Sequence, residues 1–165
     1  MTTVRDKRQA GAARARRKRP PVELDHAFLP AQIGYMLRRA QIAAFQDYAA
    51  HAGRFAITPG QFGVLVLIAE NEGLSQTELG EALGIDRSTM VAVIDRLETR
   101  GIVVRAPSPR DRRSYALRLS EAGRALVAEM RPAIQAHQDS LAGRLAPGEA
   151  EILLGLLAKL APLRG

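Results

Sequence analysis

The chain contains no cysteine and no tryptophan. Without cysteine there can be no disulfide, no thiol that senses oxidants and no Cys-ligated zinc, and the composition suits a reducing cytoplasm. Aromatic residues make up 4% of the total, so aliphatic side chains must fill any core. No apolar run approaches the ~20 residues that a membrane span requires. The N-terminus carries charge with no apolar stretch behind it, so a secretory signal is not expected. Also missing are a nucleotide-binding glycine loop, an H-E-x-x-H pair and a G-x-S-x-G nucleophile elbow. Helix caps and solvated helix faces account for the isolated Asp and Glu residues, so neither catalysis nor a cofactor is expected. His26, His51 and His137 are scattered along the chain, and their spacing predicts no metal site.

What is present suits a globular domain with an appended oligomerisation element: 165 residues, 47% of them hydrophobic. The net charge of +7 is unevenly placed. Residues 1–20 hold eight basic side chains and one acid, which accounts for the whole excess. The rest is neutral, yet residues 86–118 carry eight Arg against four acids. Concentrated basic charge attracts a phosphate backbone through counterion release.

Residues 1–21 have few large apolar groups and end in Pro20-Pro21, which predicts a disordered basic arm. Over residues 24–52, apolar positions recur every three or four residues, predicting an amphipathic helix interrupted near Pro30 and ended by Gly53. Thr58-Pro59-Gly60-Gln61 reads as a capping box with proline at the first helical position, and the helix after it is apolar nearly all round. Ser75-Gln76-Thr77-Glu78 is a second capping box, opening a short helix. Gly84 supplies a turn, Asp86 caps the next helix, and Gly101 ends it.

Residues 102–105 then read as a strand and residues 106–113 as a basic loop. Residues 114–119 alternate, with Tyr115, Leu117 and Leu119 on one face. Ser120 caps a long helix to about residue 145. A last helix carries Ile152, Leu153, Leu156, Leu157 and Leu160 as a stripe. The fold class is therefore mainly α with a small β-hairpin wing, a winged helix-turn-helix. The expected boundaries are a basic arm at 1–21, an N-terminal dimerisation helix at 22–56, a DNA-binding domain at 57–119 and C-terminal dimerisation helices at 120–165.

A helix-turn-helix sets the N-terminal end of its second helix against base edges. Here that end is Arg87, Ser88 and Thr89, all able to hydrogen-bond to bases or phosphate. Ser75 and Gln76 begin the preceding helix, whose positive end suits a phosphate. Arg110, Arg112 and Arg113 occupy the wing loop, where a narrow minor groove accepts Arg. The expected partner is double-stranded DNA. The apolar stripes at the two ends of the chain predict a homodimer, in which they bury each other across a two-fold axis.

The run DRRSYALRLSEAGRAL resembles the wing signature of the MarR family of bacterial transcriptional regulators, matched by Asp111, Arg113, Leu117, Leu119, Ser120 and Gly123. VIDRLETRGIVVR is similar to that family's recognition-helix exit, matched by Asp95, Arg96, Leu97 and Gly101. With TPGQFGVL, the likeness covers roughly residues 24–160. It implies a winged-helix homodimer, triangular in outline, with Arg96 part of the DNA-facing set. It further implies that Asp95 pairs with Arg113 to brace the wing, and that Arg110 or Arg112 is the minor-groove finger. The arm at 1–21 is longer and more basic than the family pattern.

The resemblance also implies a repressor released by a small aromatic or phenolic ligand. Candidate ligand residues are Tyr35, Arg38, Arg39, Phe45, His51 and Phe62. Arg38 and Arg39 are two of three basic residues between positions 21 and 85, and the pair could hold an aromatic carboxylate or a coenzyme A thioester. On residue pattern alone, Arg38 and Arg39 lie at a solvated helix edge, and Phe45 and Phe62 belong to the core. The competing readings are a winged-helix module that binds protein and a nonspecific DNA binder driven by the arm. Arg87 and the wing arginines argue against the first.

Overall fold

A computed structural model describes residues 24–71, 73–107 and 115–162. The basic arm and the wing-loop residues Arg110, Asp111, Arg112 and Arg113 lie outside the described residues. The chain divides into two compact units, residues 1–36 and 37–165.

In the first unit, Ala27 takes a left-handed backbone conformation (φ 48°), and its N–H donates to Asp25 Oδ1 at 2.8 Å. A single 3-10 turn, Leu29–Ala31, follows with Pro30 in its first positions. The helix expected from residue 24 therefore begins late, as α1 (Ile33–Ala52). The proline interrupts the pattern where the sequence placed the break, because it has no N–H to donate. Tyr35 Oη and His26 Nδ1 are hydrogen-bonded at 3.1 Å.

In the second unit, a 3-10 turn, Gly53–Phe55, ends α1, and Ala56 reverses the chain at φ 51°. Helix α2 (Pro59–Glu70) starts with both halves of the Thr58/Gln61 capping box in place, at 3.2 and 2.9 Å. Helices α3 (Gln76–Leu83) and α4 (Arg87–Thr99) are joined through Gly84, left-handed at φ 64°. A Cβ on Gly80 would lie 3.0 Å from the Ile85 carbonyl oxygen and 3.9 Å from the Met90 Cβ, so glycine lets the two helices of the motif close on each other. Strands β1 (Val103–Pro107) and β2 (Tyr115–Leu119) pair antiparallel, with Val103 opposite Leu119 and Arg105 opposite Leu117. The Leu117 N–H donates to the Leu74 carbonyl at 2.8 Å, tying the hairpin to the segment before α3.

Among the described residues, the fully buried part of the core has no aromatic residue, in keeping with their scarcity, and Tyr48 and Phe55 join the core at 6% and 8% exposure. Val64, Leu65, Leu79, Met90, Ile94, Leu97, Val103, Leu117 and Met130 are fully buried. Burial of one such side chain stabilises the fold by ~1.5–3 kcal/mol. Two expectations are corrected. Tyr115 is 62% exposed and Ala116 buried, because Tyr115 pairs with exposed Pro107 at the far end of the ladder. Phe45 is 51% exposed rather than core, on a face of α1 with Ile42, which is 44% exposed.

Helix α5 (Glu121–Ala142) is capped by Ser120, whose Oγ accepts from the Gly123 N–H at 2.9 Å. It continues through Pro132, which removes one backbone donor. Helix α6 (Glu149–Leu160) buries nothing in the single chain: Ile152, Leu153, Leu154, Leu156 and Leu160 are all exposed. Where α1 meets α5, Asp47 accepts hydrogen bonds from Ser140 Oγ at 2.7 Å and Arg144 at 2.5 Å, and pairs with His137 Nδ1 at 2.7 Å. The Ser140 and His137 bonds hold its carboxyl below the usual carboxylate range. No single helix among the described residues is long and apolar enough to cross a membrane.

Candidate nucleic-acid interface

The two faces of α4 separate cleanly. Met90, Ile94 and Leu97 are fully buried, while Arg87, Ser88 and Thr89 on its first turn are exposed. Asp86 sets that turn: its Oδ1 accepts from the Thr89 N–H at 2.9 Å and from Ser88 Oγ at 2.6 Å. These bonds hold the Asp86 carboxyl well below the usual range, led by the one from Ser88. The Ser88 hydroxyl hydrogen is thus committed, leaving that oxygen to act as an acceptor. Among the described residues, no hydrogen bond or ion pair engages Arg87, so its five donors are available to a partner. Arg96 is exposed two turns further on.

The start of α3 is more self-contained. The Ser75 N–H donates to Glu78 Oε2 at 2.7 Å, and Ser75 Oγ accepts from the Glu78 N–H at 3.2 Å. A phosphate approaching there meets the Glu78 carboxylate. Gln76 is half-buried, and its Nε2 is buried with no hydrogen-bond partner among the described residues.

Two arginines position this surface that the sequence reading did not single out. Arg105 lies on the inward face of β1, opposite buried Leu117. It donates to Asp95 Oδ1 at 2.6 Å and is also bonded to Glu98, so one guanidinium joins the hairpin to two turns of α4. The Asp95 bond, with the charge of Glu98, raises the affinity of Arg105 for its proton. The expected partner of Asp95, Arg113, lies outside the described residues. Arg100 donates to the Ala56 and Phe55 carbonyls at 2.7 and 3.1 Å, anchoring the end of α4 to the turn after α1. A charged residue inside the apolar run IVVRA, with acids three apart upstream, was a readable sign of the first bond. Nothing local signalled the second, which spans 44 residues.

Within the second unit of the single chain, the candidate ligand residues fall at separate places. Phe62 lines a groove of about 600 Å³ between α2 and α5 with Val66, Glu70, Val127, Arg131 and Ile134. His51 instead joins Asp47 and His137. Phe45, Arg38 and Arg39 are exposed on α1, and Tyr35 belongs to the first unit.

Residues 57–114 match the MarR family. A transcriptional regulatory protein for the hcr operon of Thauera aromatica is 40% identical over 139 residues, 84% of this chain and 84% of that protein. This chain belongs to the MarR family. MarR-family proteins are transcriptional regulators, not enzymes, and are dimeric. The repressor CouR bound to a 23-mer DNA duplex is 40% identical, with a TM-score of 0.80 over 85% of this chain and 99% of that one. CouR bound to p-coumaroyl-CoA aligns at 38% identity and TM-score 0.79, over 85% of this chain and 99% of that one. BpsR of Bordetella bronchiseptica, described as regulated in DNA binding by 6-hydroxynicotinic acid, is 30% identical. Its TM-score is 0.75 over 88% of this chain and all of that one. In this MarR-family chain, α3 and α4 are the helix-turn-helix and the β1–β2 hairpin is the wing.

Proposed function

We propose that this MarR-family regulator is a homodimeric repressor that occupies a pseudo-palindromic operator in the cytoplasm and is released by a small aromatic acid or its coenzyme A thioester. Residues 57–119 carry DNA recognition, and 22–56 with 120–165 carry dimerisation. The observation that carries the DNA reading is the first turn of α4, exposed and donor-rich above a fully buried face. Arg87 reads a base edge, Ser88 and Thr89 support it, and Arg96 with the wing residues Arg110, Arg112 and Arg113 holds phosphate and minor groove. Two such helices related by a two-fold axis predict half-sites ~34 Å apart.

The effector class rests on the likeness to CouR and BpsR. The groove between α2 and α5 suits it chemically. Phe62, Val66, Val127 and Ile134 offer an apolar wall for a ring, and exposed Arg131, 3.7 Å from Glu70, offers charge for a carboxylate or phosphate. The test is footprinting on DNA upstream of the chain's own gene, repeated with p-coumaroyl-CoA and with 6-hydroxynicotinic acid. Protection of two half-sites about one helical turn apart, lifted by one of the two, is the expected result. Protection that neither compound relieves would remove this effector class.

A further inference from the structure

Two of the three histidines, far apart in sequence, converge in the fold. Asp47 and His51 lie one turn apart on α1, and His137 reaches them from α5. One ligand atom from each lies within 4.8 Å of the others. We propose that Asp47, His51 and His137 form a binding site for one divalent transition-metal ion of the zinc type in each chain.

The geometry is close to what such an ion requires. Tetrahedral zinc with bonds of about 2.0–2.1 Å sets its ligand atoms about 3.3 Å apart. His51 Nδ1 lies 3.3 Å and His137 Nδ1 2.7 Å from the same oxygen, Asp47 Oδ2. A small outward shift of His137 opens the space for the ion, and His51 Nδ1 gives up its 2.9 Å bond to the Asp47 carbonyl. Asp47 and His137 side chains are 8% and 9% exposed, so little rotamer freedom remains to be lost.

The outer shell is also in place. The other carboxylate oxygen, Oδ1, is held by Ser140 at 2.7 Å and Arg144 at 2.5 Å, which orients Oδ2 as a single donor. The Tyr48 ring packs edge-on against His137, with centroids 5.6 Å apart, and shields it from water. Two imidazoles and one carboxylate favour Zn²⁺, Co²⁺ or Ni²⁺ over Mg²⁺ or Ca²⁺, which prefer all-oxygen cages. Three protein ligands leave a fourth position for water or an acidic small molecule. The ion would clamp the helix that carries the exposed N-terminal apolar face to the helix that leaves the wing.

The test uses the full chain, stripped with chelator and titrated with Co²⁺ and Zn²⁺ by absorption spectroscopy and calorimetry. The expected result is saturable uptake of one ion per chain, tetrahedral Co²⁺ bands displaced by Zn²⁺, and no response to Mg²⁺. His51→Ala, at the more exposed ligand, should abolish the bands while circular dichroism stays unchanged. Ser140→Ala should weaken binding ~10- to 100-fold. An absence of saturable uptake would show that the cluster is only a hydrogen-bonded group of side chains. Uptake that survives both His51→Ala and His137→Ala would place the ion elsewhere. Either outcome overturns the proposal, and neither depends on DNA binding.

Discussion

Arg105 on β1 and Asp95 on α4 are joined by a 2.6 Å ion pair, and the same guanidinium is bonded to Glu98 one turn later. The recognition helix is thereby fixed to the hairpin whose loop carries the wing arginines. Arg105→Ala should cost the fold only about 1 kcal/mol, because Asp95 is more than half exposed. Operator affinity should fall further, about tenfold or about 1.4 kcal/mol, because α4 loses its orientation. Lysine should not restore it, since its compact ammonium lacks the two rigid arms by which the guanidinium reaches Glu98 and Asp95 separately. Thermal melts and fluorescence anisotropy separate the two effects; equal losses in both would make Arg105 a stability residue only.

Among the described glycines, Gly123 permits the closest approach. A Cβ there would sit 2.1 Å from the Ile102 carbonyl oxygen, which accepts from the Ser120 N–H at 3.0 Å. Gly123→Ala should destabilise by roughly 3 kcal/mol through overpacking. Gly60→Ala, with nothing within 4 Å of its Cβ, should be neutral or stabilise by ~0.5 kcal/mol. Chemical denaturation of both variants checks the contrast.

Acid should weaken the first turn of α4. Folding lowers the Asp86 carboxyl below its ordinary 3.8, so the cap contributes fully above that value and loses its contribution as pH falls through the lowered one. Asp86→Asn keeps an acceptor for the Thr89 N–H and should remove this part of the acid sensitivity. Amide exchange of Thr89 below pH 4, in both forms, reads the difference. Identical acid profiles would mean that another carboxylate governs the turn.

Leu156 on α6 is bare in the single chain. Leu156→Glu should shift the protein from dimer to monomer in light scattering and reduce operator affinity by more than tenfold, because two half-sites are no longer bound together. A dimer that persists would move the interface off α6.

Much of this was legible in the sequence because it is written in local chemistry. Thr58, Ser75, Asp86 and Ser120 each announce a helix start through one side chain, and Gly84 announces the turn between α3 and α4. The S-x-x-G motif was legible as a pattern, but its reason, the Ile102 carbonyl beneath Gly123, is tertiary. The late start of α1 depended on how the Ala27 and Pro30 backbone resolved, which periodicity cannot express. Asp47, His51 and His137 read as scattered because Asp47 and His137 are 90 positions apart and no local pattern relates them. Phe45 was misread as core for the opposite reason: a helix stripe shows that a face is apolar, not which surface covers it.

The most direct test of the account is Arg87→Ala, assayed for binding to the footprinted operator and to random duplex at the same salt. Loss of one bidentate base contact should weaken operator binding about 5- to 150-fold while leaving random-sequence affinity nearly unchanged. If both affinities fall by the same factor, Arg87 touches only phosphate, and the first turn of α4 does not read the sequence.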